Sequence, residues 1–116
     1  MALIKKLTRF NVEAAYLALT RINHFDRLCR EATFEFSLFK DKATARLPRT
    51  DPQGEPLVAT AAKLRLTGEA FDRYFGKGVE GRDNIERQAY KAARVERVEC
   101  WSGRLDLSDA GDDLAD

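Results

Sequence analysis

The sequence predicts an α+β fold: a mainly antiparallel β-sheet with one packed α-helix near residues 83–94 and a short helical turn near 69–75. Three observations carry this. Residues 33–40 (TFEFSLFK) and 57–68 (LVATAAKLRLTG) alternate apolar with polar side chains, the period of a strand with one buried face. The connection between them holds all three prolines of the chain. Further on, DNIERQAYKAAR repeats with the period of an amphipathic helix. A hairpin plus further strands is expected, with a sandwich-like arrangement left open.

The elements follow in chain order. Residues 1–7 (MALIKKL) put an apolar patch before two lysines, the reverse of a secretory signal, so no export is expected. Residues 11–25 (NVEAAYLALTRINHF) fit a strand better than a helix, with Tyr16, Ala18, Thr20 and Ile22 on one face and Leu17, Leu19 and Arg21 on the other. A polar connection at 26–31 leads into Phe34, Phe36 and Leu38, which alternate with Thr33, Glu35 and Ser37. The two segments read as a long antiparallel hairpin with those three apolar side chains aimed at the core.

Residues 41–56 (DKATARLPRTDPQGEP) then form a connection longer than most inside compact domains, a length that marks either a functional segment or a disordered one. Lys40, Lys42, Arg46 and Arg49 give it a basic character suited to a binding arm; the same residues equally suit a solvated surface loop. In the next strand Thr60, Ala62, Leu64 and Leu66 face one way and Ala61, Lys63, Arg65 and Thr67 the other. Gly68 ends it, and Phe71, Tyr74 and Phe75 stand at helical spacing, an aromatic plug over the sheet. Asp83 is placed to cap the main helix, with Glu86 completing a capping box. Ile85, Ala89, Ala92 and Ala93 share one helical face, and Arg87, Lys91 and Arg94 another. Residues 95–101 (VERVECW) and 104–107 (RLDL) suggest one or two final short strands, with Val98 and Cys100 inward.

At 116 residues the chain suffices for one hydrophobic core, expected over 1–107, with 108–116 as an acidic, disordered tail. No segment approaches the roughly 18 uninterrupted apolar residues of a membrane helix, so a soluble protein is expected. The net charge of +1 conceals an asymmetry: from Asp106 onward there are five aspartates and no base, so residues 1–105 hold 20 bases against 14 acids. The body is moderately basic.

Chemistry-bearing motifs are sparse. A structural zinc site needs about four closely spaced ligands, whereas Cys29 and Cys100 are far apart and His24 is the sole histidine. No metal site is expected, and the thiols read as reduced, with a disulfide left open. Residues 76–81 (GKGVEG) match G-x-G-x-x-G, but a dinucleotide site needs a buried strand delivering the glycines, and the aromatic cluster FDRYF stands there instead. The motif reads as a linker between two helical pieces, and no cofactor is expected. His24 has no nucleophile at a recognisable spacing, and the carboxylate pairs Glu96/Glu99 and Glu69/Asp72 lie among arginines, as surface ion pairs do. No catalytic residues are assigned; the chain reads as a non-enzyme.

The order of segments resembles small tail-associated or baseplate structural proteins of tailed bacteriophages and prophages. The resemblance lies in MALIKKLTRFNVEAAYLALTRI, in the strand running into FKDKATAR, in GEPL before the next strand, and in LTGEAFDRYF through IERQAYKAAR, ending near Cys100. In the similar proteins an IxQAYxYLK-like helix stands where this chain has IERQAYKAAR, so Ala92 and Ala93 replace a bulkier pair; the acidic tail and the proline-rich loop also depart from the pattern. The resemblance implies a virion component or assembly accessory, in the virion or in the host cytoplasm during assembly, that docks to other tail proteins or to copies of itself. Lys40, Lys42, Arg46 and Arg49 are then the first candidates for partner contact, with Arg87, Lys91 and Arg94 second. The alternative is a small basic nucleic-acid-binding or regulatory module, less favoured because three bases on a helix also suit an ordinary solvated face.

Overall fold

In the computed structural model, β1 (Ala2–Arg9), β2 (Val12–Asp26), β3 (Glu31–Phe39), β4 (Val58–Thr67), β5 (Val98–Cys100), β6 (Gly103–Leu105) and β7 (Gly111–Asp113) form one antiparallel sheet. Its order is β6-β5-β4-β3-β2-β1-β7. The structure describes residues 2–9, 12–47, 58–96, 98–100, 103–108 and 110–113. The α+β class is as expected; the sandwich-like option is not realised, because all the described strands belong to this single sheet.

Helices α2 (Glu69–Phe75) and α3 (Ile85–Val95) cover one face of the sheet. Beneath them Leu17, Phe34, Phe36, Leu38, Leu64, Leu66 and Val98 are fully buried, so the alternation read in β3 and β4 points where it predicted. The aromatic plug on α2 is also present. Phe75 lies 5.0 Å from Phe25 and 6.1 Å from Phe34 between ring centroids, and Phe71 lies 5.6 Å from Phe25. Rings at such separations contribute about 0.5–1.5 kcal/mol beyond their area burial.

On α3, Ala89, Ala92 and Ala93 are buried as expected, and Tyr90 and Gln88 join them. Tyr90 sets its ring edge against Phe36, 5.6 Å away, and its hydroxyl reaches β2. The cap is displaced by one residue from the sequence reading: Asn84, not Asp83, accepts from the backbone N–H of Arg87, which leaves no capping box with Glu86. Asp83 is instead engaged with Arg27 at 3.5 Å.

Strand β2 departs from simple alternation. Its register against β3 shifts between Leu19 and Arg21 and again between Ile22 and His24, leaving Thr20 and Asn23 as extra residues. An extra residue reverses the parity that follows it. Ile22 therefore pairs with the core residue Phe34 rather than sharing the Tyr16 face, and Arg21 pairs with Glu35 on the opposite face. Side chains hold both bulges: Thr20 Oγ1 and Ser37 Oγ are hydrogen-bonded at 2.8 Å, and Asn23 Nδ2 donates to Glu35 Oε1 at 2.5 Å.

Two further segments differ from expectation. The connection begins with a helix, α1 (Lys42–Arg46), before passing outside the described residues at 48–57. The acidic 108–116 segment, read as a disordered tail, supplies β7 at 111–113, paired with β1 through Ile4 opposite Gly111 and Ala2 opposite Asp113. Leu107 and Ala110 are buried in the core, and this anchoring outweighs the local acidity; residues 114–116 lie outside the described set.

Candidate interaction site

The second face of the sheet is mostly polar, with one apolar island. Ala2, Tyr16 and Phe39 are buried there, with Ala18 and Ala45 packed against them. Since Tyr16 pairs with both Ile4 and Phe39, this island spans β1, β2 and β3 at one end of the β2–β3 hairpin. Ala45 on α1 covers it. Sequence alternation alone points Phe39 away from the main core, and α1 is what buries it.

Asp41 starts α1. Its extended backbone, φ −157°, lets the side chain accept from the Thr44 N–H at 2.8 Å, an N-cap of the kind Asp favours. The Thr44 hydrogen bonds, with the charge of Lys40 adding to them, hold the Asp41 carboxyl below its ordinary value. At the other end the Leu47 N–H donates to Thr44 O at 3.2 Å, and the hairpin itself is closed by the Ala15 N–H donating to Lys40 O at 3.3 Å.

Beside this helix runs an open, mainly apolar groove of about 210 Å³, lined by Ile4, Ala15, Tyr16, Lys40, Asp41 and Lys42. Ile4, 39% exposed, and Ala15 form its apolar wall with Tyr16; Lys40 and Lys42 stand at its rim, and Arg46 follows one helical turn after Lys42. A groove of this composition can accept an apolar side chain while its rim attracts acidic groups.

The predicted contact residues fall into two places. Lys40, Lys42 and Arg46 gather at the groove and along α1; Arg49 lies outside the described residues. Arg87, Lys91 and Arg94 form a stripe on α3, which packs on the opposite face of the sheet, so the two basic sets do not make one surface. Ile4, Ala15 and Tyr16 were missed by sequence reasoning. Their signal is only that Tyr16 stands on the face of its strand opposite Leu17 and Leu19.

Other candidate groups are occupied structurally. His24 Nε2 stands 3.7 Å from Glu31 Oε2 and is half exposed. Glu96 accepts two hydrogen bonds from Arg73 Nη1, at 2.5 and 2.8 Å, and Asp72 pairs with Arg30 at 3.3 Å. Neither Cys29, which is exposed, nor Cys100, which is half-buried, is in a disulfide. The glycines of 76–81 serve the turn between α2 and α3: a side chain at Gly76 would press on the backbone of Asp72, while Gly78 and Gly81 hold positive φ of 82° and 79°.

No known protein family, characterised protein or solved structure matches the chain. Among the described residues no helix is long and apolar enough to cross a membrane.

Proposed function

We propose that this chain is a non-enzymatic contact protein, and by the resemblance of its segments a tail or baseplate component of a tailed bacteriophage or prophage. The groove beside α1 carries the reading. It combines an apolar wall of Ile4, Ala15 and Tyr16 with a rim of Lys40 and Lys42, at the root of the long connection. Burial of apolar area supplies affinity at such a place, and the rim charges supply orientation and rate. Of the carboxylate pairs, Asp72 and Glu96 are engaged with Arg30 and Arg73, which tie turns and helix ends together, and this fits a scaffold.

The test is co-expression of the full chain with the products of the genes on either side of its own, followed by size-exclusion chromatography. The wild-type chain is expected to co-elute with a neighbour's product. The combined K40E, K42E and R46E substitutions should abolish this, and the combined R87E and K91E substitutions should leave it intact. A wild-type chain that neither co-elutes with any of them nor associates with copies of itself overturns the reading. Binding to a short DNA duplex that weakens steeply with salt would instead favour the nucleic-acid module.

A further inference from the structure

We propose that copies of this protein associate head to tail, with Leu28 at the β2–β3 turn of one copy entering the groove beside α1 of the next. The inference rests on the reading of the chain as a contact protein and names an occupant for its groove.

Leu28 is 92% exposed, the most exposed large apolar side chain among the described residues. The turn that carries it is firmly built. Asp26 Oδ1 accepts from the N–H groups of both Leu28, at 2.9 Å, and Cys29, at 3.0 Å. Arg27 lies over the Phe25 ring, 5.2 Å from its centroid, and also pairs with Asp83. Arg30, at a φ of 57°, pairs with Asp72, and its carbonyl accepts from the Gly68 N–H at 3.1 Å. An apolar side chain presented on such a fixed mount loses little conformational freedom on docking.

The groove suits this guest in size and in charge. At about 210 Å³ it exceeds the volume of about 150 Å³ that accommodates a benzene-sized apolar guest. Among the described residues around Leu28, Arg27, Arg30 and Arg82 stand against Asp26, Glu31, Asp72 and Asp83, three bases against four acids. Among the described residues that line the groove or form α1, Lys40, Lys42 and Arg46 stand against Asp41. Acidic plug end and basic socket end are complementary.

The two sites cannot meet within one copy. Twelve residues separate Leu28 from Tyr16 along β2 and from Lys40 along β3, a span of up to about 40 Å at strand rise. The molecule's longest dimension is 41 Å, so plug and socket lie near opposite ends. A contact between different patches repeats from copy to copy and builds a ring or a filament.

The test is sedimentation velocity of the full chain over a concentration series, with reductant present so that Cys29 cannot bridge copies. The wild-type chain is expected to associate as concentration rises. Leu28→Ser, which removes the plug, and Ala15→Phe, which fills the groove, should each raise the concentration at half association by roughly tenfold or more. Ile4→Trp is a second groove block should Ala15→Phe fail to fold by circular dichroism. An equimolar mixture of the L28S chain and a groove-blocked chain should form a dimer that grows no further, since one good plug and one good socket remain. A wild-type chain that stays monomeric, an L28S chain that associates normally, or a mixture without dimer overturns the inference. A monomeric chain that still co-elutes with a neighbouring gene's product overturns self-docking alone, whereas loss of both overturns the contact reading as well.

Discussion

The phenolic oxygen of Tyr90 accepts a hydrogen bond from the backbone N–H of Leu19 at 2.6 Å, tying the middle of α3 to β2 beside its first bulge. Strand β1 pairs with β2 up to Leu17, so among the described residues Leu19 lies past the end of that ladder. Tyr90→Phe keeps the buried ring against Phe36 and deletes only the acceptor. A part-buried donor left without its partner costs about 1–3 kcal/mol, and urea unfolding should show a loss of that size with an unchanged denaturant slope.

Tyr74 and Arg73 both reach Glu96, at the end of α3, so this carboxylate joins the two helices. Partial burial, with the Glu96 charge adding to it, pushes the Tyr74 hydroxyl up to about 12. Absorbance titration should find Tyr74 ionising there, and Glu96→Gln should lower that value. The folded value exceeds the unfolded one of about 10. The contribution of this group is therefore complete below about pH 10 and is lost as pH rises toward 12. Tyr74→Phe should remove that alkaline slope.

Three carboxylates act in the opposite direction. Glu35 is held below its ordinary value chiefly by the hydrogen bond from Asn23, with Lys63 and Arg21 assisting; Asp26 and Asp41 are lowered by hydrogen bonds from Cys29 and Thr44. Their stabilising contributions are present above the unfolded carboxylate range and fade as pH falls through the lower folded values. Asn23→Ala should raise the Glu35 value in a carboxyl-carbon NMR titration and reduce stability at neutral pH; an unmoved titration would show that Asn23 does not hold the bulge.

Gly76 ends α2 where a Cβ would sit 2.5 Å from the Asp72 carbonyl oxygen. Its φ of −69° is open to any residue, so space and not backbone freedom is what requires glycine. Gly76→Ala should destabilise the fold by about 1–3 kcal/mol, the range for forced overpacking, read as a lowered midpoint in thermal unfolding. An unshifted midpoint would mean that the turn yields easily.

How far the fold was legible follows from the range of each signal. The strand pattern of Phe34, Phe36 and Leu38, the Phe71 and Phe75 plug and the alanine face of α3 are local periodicities, and each lies where its period predicts. Ile22 and Arg21 were misplaced because a bulge leaves no mark on apolar alternation; only the contacts of Thr20 with Ser37 and Asn23 with Glu35 reveal it. Strand β7 was hidden by its acidity, since its anchors are the buried Leu107 and Ala110 on either side of a polar turn. The groove joins residues near 4, 15 and 41, and such a surface is created by register, not by any one segment.

The contact surface is tested most directly by amide chemical shifts of the isotope-labelled full chain, recorded through a dilution series under reducing conditions. Two patches should move together with concentration: residues 26–30 at the β2–β3 turn, and Ile4, Ala15, Tyr16 and 40–42 at the groove. Shifts confined to α3 around Arg87 and Lys91, or an unchanging spectrum across the series, would contradict the assignment of the groove as the site of docking between copies.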